Sequence, residues 1–550
     1  MIEVPVLIAG GGPVGLVLAL ELEHRGVPAL LVEANPGTTR HPKMDVTNGR
    51  SMEHFRRLGI ADEIRSHAVP SDHPMTVVWC SRLAEWELAR FDYPSVDWGR
   101  DIIRYVNDGS LPLEPNMRIS QVVLEPVLKN LLEERAKQVR LRFGWALDRF
   151  ETDDEGVTAV IRNSEDGSEE AVRTTYLAGC DGAGSVTRKT LGIELDDLLP
   201  FDPRGKHGRL YLIHFRSKDL AFFERFGRAW HIQSPIGGTL ISQNDVDTWT
   251  LHVALTPDVN ETSIEPRAFL FESLGAEFDC EIIVANVWRP RLALAKSYGR
   301  DRVWLAGDSA HQVIPTGGYG MNTGVGDAVD LGWKLAAMLE GWGGPGLLAS
   351  YASERRPVGE RNRAASARHS SVRGQIAQEY DPKIHEDSEE GAQLRATYGA
   401  RIKALGNLEN EATGIELDYR YESSPIVCHE SSKEGTEAEG PPQQDDRYVP
   451  STRPGVRAPS LFLANGTALF DLFGQGFTLL RFAEIDVSSF VKAAGDIGLP
   501  LEVLDLRDPI ARRLYERDLV LIRPDHHVAW RGDETPEDPR SVLDRIRGAG

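Results

Sequence analysis

Three glycine-bearing stretches hold the residues whose types and spacing could do chemistry. The first is GGGPVG at 10–15. Gly10 allows a tight turn, Gly12 lets the backbone approach a pyrophosphate, and Gly15 lets a helix pack close to a sheet. Pro13 stands in the same turn. An anion would rest at the helix N-terminus, where free N–H groups and the dipole favour it. Glu33 is placed to accept hydrogen bonds from a ribose diol. This is dinucleotide chemistry, and the motif alone leaves FAD and NAD both open. The second stretch, GCDGAGSVTR at 179–188, sets Asp181 at a strand end, which on its own is an ordinary turn. The third is GDSAH at 307–311 with PTGGYGMNTGVGDAVDLGWKLA at 315–336. Gly307 and Asp308 end a strand at its carboxyl edge, where a carboxylate can hold a polyol chain. Pro315, Gly318 and Gly320 shape a loop that can pass against a flat ring. A helix starting near Met321, with Asn322, points its N–H groups at that ring and favours negative charge on it.

The elements that must position these residues are legible around them. VPVLIA at 4–9 reads as a buried parallel strand, VLALELEHRG as a helix ending at Gly26, and VPALLVE at 27–33 as the next strand. TTYLAG and RVWLAG are further buried strands that stop at Asp181 and Asp308. Residues 50–66 and 121–138 read as amphipathic helices, and 71–115 as a stretch rich in aromatics and prolines. Alternating runs at 139–180 predict a meander, and those at 207–260 an antiparallel sheet with one covered face. Tyr211, His214, Trp230 and His231 fall in that sheet, with the inward-facing ones undecided. Residues 352–412 read as largely helical. HESSKEGTEAEGPPQQDDR at 429–447 reads as an exposed linker.

Composition narrows the class. At 550 residues the chain needs two or three domains, and 41% hydrophobic with 26% charged content is ordinary for a soluble protein. A formal net charge of -21 argues against a nucleic-acid partner or an anionic membrane surface. Cys80, Cys180, Cys280 and Cys428 form no CxxC pair and fit reduced thiols in a cytoplasmic protein. The glycine-broken N-terminus is neither a signal peptide nor a membrane span. No metal-binding spacing and no GxSxG elbow occurs.

The ordered triple GxGxxG, DG and GD resembles the class A FAD-dependent aromatic hydroxylases, monooxygenases of the p-hydroxybenzoate hydroxylase fold. The resemblance spans about residues 1–370. Within that class the chain is similar to the phenol and 2,4-dichlorophenol hydroxylase branch, through YRYESSPIV at 419–427, YVPSTRPGVRAP at 448–459, FDLFGQGFTLLRF at 470–482 and LIRPDHHVAWR at 521–531. It implies an α/β fold: a GR2-type Rossmann-like FAD-binding domain (1–70, 101–190, 285–370) and an interleaved substrate-binding β-sheet domain (71–100, 191–284). A helical connection (371–428) and the linker then lead to a thioredoxin-like C-terminal domain (448–550) without CxxC or redox role.

Residue by residue, the resemblance assigns Gly10, Gly12, Gly15 and Glu33 to the ADP half of FAD, and Arg118 and Gln121 to the cofactor's approach. Asp181 would lie near FAD and NAD(P)H, Asp308 on the ribityl chain, and Pro315, Gly320, Met321 and Asn322 around the ring. Arg50 matches an arginine of the family's RTME-type helix. Lys43 stands where an arginine often occurs and could meet a phosphate. Asp45 stands where phenol hydroxylases carry an aspartate beside the substrate hydroxyl, so it could take the phenol proton and raise the ring's electron density. Met44 departs from the usual small residue. The implied reaction uses NAD(P)H as a transient reductant and O2 as co-substrate, hydroxylates an aromatic small molecule through a flavin C4a-hydroperoxide, and allows a homodimer. Baeyer–Villiger oxygenation or epoxidation would use the same motifs, and a flavoprotein that only binds a small molecule is the reading of another class.

Overall fold

The computed structural model describes residues 1–198, 208–430 and 440–550. Its central sheet explains why three motifs so far apart in sequence act together. Ile2–Ala9 pairs in parallel with Ala29–Glu33 on one side and with Glu169–Gly179 on the other, and Val303–Leu305 continues beyond. Ala9 is level with Gly179, and Gly179 with Leu305. The three strands therefore end side by side, and the residues that follow them share one edge, the carboxyl end where parallel sheets bind ligands. These strands are apolar throughout because both faces are covered. Pro13–His24 and Tyr319–Leu339 pack on one face and the meander Trp145–Thr152, Val157–Asn163 and Glu169–Gly179 closes the other.

The second sheet has seven strands, in the order Glu281–Trp288, Arg209–Arg216, Thr248–Leu255, Gly238–Ser242, His231–Ser234, Val77–Cys80 and Glu87–Phe91. It joins two separated stretches of chain, since His231–Ser234 pairs in parallel with Val77–Cys80. One face buries Phe215, Phe223, Trp249 and Leu270, with Phe278 packed against them, under the helix Pro266–Leu274. The other face roofs a cavity. Leu347–Gln378, 32 residues and about 48 Å long at 1.5 Å per residue, runs from the first sheet to the second.

The last sheet runs Leu501–Asp505, Phe477–Arg481, Leu519–Ile522 and Val528–Gly532, with the first pair parallel and the others antiparallel. Helices Ser488–Asp496, Pro509–Tyr515 and Pro539–Ile546 complete the thioredoxin-like arrangement. It packs Phe477 and Phe490 against Trp333 and Trp342 of the first unit.

Local differences from the sequence reading have simple causes. The helix expected over 50–66 is two helices, Gly49–Arg57 and Ala61–Ser66, because Gly59 turns the chain at φ 71°. A helix, Val96–Val106, lies inside the aromatic and proline-rich stretch, capped by the Ser95 hydroxyl. The long glycine-rich helix begins at Tyr319, two residues before Met321. Residues 431–439 of the linker lie outside the described residues. Among those described, no helix is long and apolar enough to cross a membrane, and no group of three His, Cys, Asp or Glu side chains could hold a metal ion.

Candidate active site

The first turn is built for a close neighbour. Gly10 sits at φ 108°, and a Cβ there would overlap the Cys180 carbonyl. A Cβ at Gly15 would overlap the Gly10 carbonyl, whereas one at Gly12 would meet no atom within 4 Å. Two of the glycines thus pack protein against protein, and the third leaves its backbone open. Pro13 opens the helix and, with Gly12 outside it, leaves the first N–H groups free of side-chain caps. Glu33 reaches under the turn: its Oε2 accepts from the Gly11 N–H at 2.7 Å and its Oε1 from the Asn35 N–H at 2.9 Å.

At the neighbouring strand end, Asp181 is occupied locally. Its Oδ1 accepts from the Ser185 hydroxyl at 2.5 Å and its Oδ2 from the Thr187 N–H at 2.9 Å. It shapes the turn and caps the short helix Val186–Thr190 rather than presenting a free carboxylate. Asp308 differs: among the described residues its carboxylate makes no hydrogen bond, and its side chain is exposed. Surrounding protein at longer range raises its pKa, an effect of desolvation that His311 and Lys43 only partly offset. Its loop is fixed from behind. The Gly307 N–H donates to Asp327 Oδ2 at 3.1 Å, His311 Nε2 lies 2.8 Å from the same oxygen, and Arg355 holds Oδ1 at 2.8 Å. Asp327 is fully buried, and the Arg355 charge with the His311 contact outweighs its desolvation and holds its pKa below the ordinary carboxylate value.

The loop after it turns through Gly317 and Gly318, at φ 89° and 66°. A Cβ on Gly318 would press on Val46. Asn322 then clamps two segments: its Nδ2 donates to the Gly318 and Val46 carbonyls at 2.7 and 3.2 Å, and its Oδ1 accepts from the Asn48 N–H at 3.0 Å. The segment carrying Asp45 is therefore held beside the loop Pro315–Gly318. Gly320 and Met321 lie within the first turn of the helix, behind that loop.

These residues border a cavity of about 730 Å³, which Lys43, Asp45, Pro315, Gly318 and Asn322 line from below. The second sheet lines it from above with Trp230, His231, Gln233 and His252. Leu210 faces this cavity, Tyr211 faces the aromatic core, and His214 is satisfied by the Thr250 hydroxyl at 2.9 Å. Asp45 lines the cavity, as do Glu409 and Glu416. Trp230 Nε1 donates to Asp45 Oδ2 at 2.6 Å, and His231 Nε2 lies 3.1 Å from that oxygen. Burial pushes the Asp45 pKa up, but the His231 and Trp230 bonds and the charge of Arg118 outweigh it and hold the group below the ordinary carboxylate value. At the rim, Arg373 grips Glu409 and donates to the Thr239 hydroxyl at 2.9 Å, tying the long helix to the sheet.

Three of the expected cofactor contacts are engaged by protein partners. Arg50 is buried, and its guanidinium is spent on Glu53 at 2.9 Å, the Tyr419 hydroxyl at 3.1 Å and the Asp525 carbonyl at 2.8 Å. It faces the C-terminal unit. Arg118 binds Asp245 through both terminal nitrogens, at 2.6 and 2.8 Å, and so anchors the second sheet. Gln121 donates to Glu125 at 2.6 Å. The partners Trp230, His231, Asp245 and Glu409 carried no motif, and Asp327 stands inside the third glycine-bearing stretch without a role assigned to it.

The residues present fit FAD: an open-backbone turn, an acidic residue beneath it, an exposed carboxylate without a hydrogen-bond partner among the described residues, and a left-handed glycine loop below a cavity. The comparisons agree. The FAD binding domain family matches residues 3–366, and the aromatic-ring hydroxylase C-terminal family matches 451–550. The FAD-dependent monooxygenase apdD of Emericella nidulans is 40% identical over 96% of this chain and 87% of its own length. The 4-methyl-5-nitrocatechol 5-monooxygenase of Burkholderia sp is 30% identical over 98% of this chain and 96% of its own length. Among solved structures, the rebeccamycin biosynthetic enzyme RebC with reduced flavin superposes with a TM-score of 0.87 at 36% identity, covering 100% of this chain and 99% of that one. The flavin-dependent monooxygenase PieE, in complex with FAD and substrate, gives 0.87 at 33% identity with all of both chains covered.

Proposed function

Since the chain belongs to the FAD-dependent aromatic-ring hydroxylases, we propose that it hydroxylates a phenolic small molecule, with NADH or NADPH as electron donor and O2 as oxygen source. The observation that carries this reading is the Asp45 carboxylate, which lines the cavity directly beside the loop Pro315–Gly318. Gly10–Gly15 and the helix behind them would take the pyrophosphate, Glu33 a ribose, Asp308 the ribityl hydroxyls, and the loop with Asn322 the ring. When bound, FAD supplies the two-electron redox chemistry and the activation of oxygen.

The protein's own part is placement and proton handling. Asp45 is ionised at neutral pH, because its donors hold its pKa low. It accepts the proton of a phenol hydroxyl as the ring is attacked, and the growing phenolate character raises electron density at the carbons ortho and para to that oxygen. The apolar part of the cavity wall, with Met75, Val96, Trp79 and Ile241, excludes water around the reacting carbon. A cavity of about 730 Å³ accepts a substrate of more than one ring alongside the cofactor's ring.

The test is NADH and NADPH oxidation by the FAD-loaded protein with phenol, resorcinol, 2-naphthol and 1-hydroxyanthraquinone, with product masses followed. Stimulated oxidation with a product heavier by one oxygen is expected, and Asp45→Asn should lower that rate about 100-fold or more. Products from ketones but from no phenol would replace this reading with ketone oxygenation.

A further inference from the structure

Trp230 and His231 are adjacent in sequence, and in a regular strand their side chains would point to opposite faces. Here they point the same way. The strand His231–Ser234 starts after Trp230, and the N–H groups of both residues approach one acceptor, the Thr76 carbonyl, at 2.8 and 3.4 Å. Trp230 lies in the bend that leads into the strand, so the alternation of a regular strand does not govern this pair. The rings lie 4.0 Å apart between centroids, tilted by 31°. Both meet a single atom, Asp45 Oδ2, from across the cavity wall. Oδ1 of the same carboxylate makes no hydrogen bond among the described residues and is not sealed into the wall.

We propose, building on the role of Asp45 given above, that Trp230 and His231 are positioning residues which hold Asp45 by one oxygen and leave the other aimed at the substrate hydroxyl. Trp230 has only an N–H to offer, so its bond fixes Oδ2 as the acceptor. His231 must carry its proton on Nε2 to join it, which leaves Nδ1 without a partner in the wall. Two rigid donors from one strand entry prevent the carboxylate from rotating, so a single lone-pair direction faces the cavity. The phenol proton moves to Oδ1 while both donors stay on Oδ2. Other charged or titratable groups face Asp45 from neighbouring elements: Arg118 from Met117–Arg118, already paired with Asp245, and His252 from Thr248–Leu255, while the charge of Lys43 in its own segment acts on Asp308 and Glu125.

The experiment uses the FAD-loaded enzyme and whichever of the four panel compounds is hydroxylated fastest, and measures kcat and KM against pH. Trp230→Phe and His231→Phe keep the ring stack and remove one donor each. Each should lower kcat about 10- to 100-fold with KM within about twofold. The base form of Asp45 is its ionised form, so activity falls as pH drops through its pKa. Removing a donor raises that pKa, so the acid limb should move to higher pH by about one unit. His231→Gln, which can still donate, should restore both the limb and most of the rate. Slower variants with an unmoved acid limb would reduce the two residues to packing and overturn the inference while Asp45 keeps its role. If Asp45→Asn keeps both rate and acid limb, or no panel compound is hydroxylated, the underlying reading falls and this inference with it. FAD content and circular dichroism of each variant separate these outcomes from misfolding.

Discussion

Replacing Asp308 by Asn should separate cofactor affinity from fold stability, because the two respond with opposite sign. The carboxylate has no hydrogen-bond partner among the described residues, and desolvation raises its pKa. In protein stripped of FAD its charge is therefore a small cost, reduced by the exposure of the side chain. A raised folded-state pKa gives a contribution that is present below the unfolded value and lost as pH rises through the folded value. Asparagine removes that loss, so stripped Asp308→Asn should unfold at the same temperature as the parent or higher at neutral pH. With FAD the sign reverses. Hydrogen bonds from two ligand hydroxyls to a charged carboxylate are worth about 1.5–3 kcal/mol each, and a neutral amide with one remaining oxygen keeps roughly half of that. A net loss of about 1.5–3 kcal/mol raises the FAD Kd about 10- to 100-fold. Quenching of FAD fluorescence on titration into stripped protein measures the first quantity, and thermal unfolding the second. An unchanged Kd would remove Asp308 from the cofactor site. A lower unfolding temperature of the stripped variant would mean that the carboxylate serves the fold, and the reasoning from its lack of partners would be refuted.

Gly15→Ala should yield protein with almost no bound FAD, since its Cβ would overlap the Gly10 carbonyl and force apart the strand and helix that form the turn; flavin absorbance per mole of protein reads this directly. Glu21 is fully buried against Arg57 and Arg25, and although burial raises its pKa, these cations bring it down to about 2. Its contribution, about 3 kcal/mol, is present above the usual carboxylate value and lost as pH falls towards 2. Glu21→Gln should therefore destabilise the protein at pH 7 and hardly at all near pH 2, as urea unfolding at the two pH values would show.

The parts of the site that the sequence displays are those built from backbone. Gly10, Gly12 and Gly15 are legible because only glycine satisfies a left-handed turn, an open approach and a close packing in that order. Asp308 is legible because a carboxylate that ends a buried strand at a Gly-Asp step has no role in the strand itself. Side-chain pairs are another matter. Asp45 meets Trp230 and His231 from 185 and 186 positions away, and Arg118 meets Asp245 from 127. Nothing local in either segment records the other. Arg118 and Arg50 look free in sequence because a guanidinium shows its charge but not its partner. The direction of Trp230 was hidden for a further reason: alternation assigns faces only in regular strands, and Trp230 lies in the bend just before one.

The engagement of Arg50 bears on why the C-terminal unit accompanies the flavin fold at all. Arg50 shares Glu53 with Arg457, both fully buried, and Glu53 also accepts from the Leu113 N–H at 2.7 Å. A second buried set joins Asp330 and Lys334 of the helix Tyr319–Leu339 to Glu354 and, across the boundary, to Arg523 and Asp525. Removing one partner from such a set leaves an uncompensated buried charge, at a cost of about 3–5 kcal/mol, so neither set tolerates partial separation. The two helices they grip are the one that follows the Asp45–Asn48 segment and the one that begins at the glycine loop. Those same segments are joined at their other ends by Asn322. A unit without CxxC thus fixes both walls of the reaction site from behind. The orientation of Asp45 relative to the loop Pro315–Gly318 then depends on both helices staying in register with this unit.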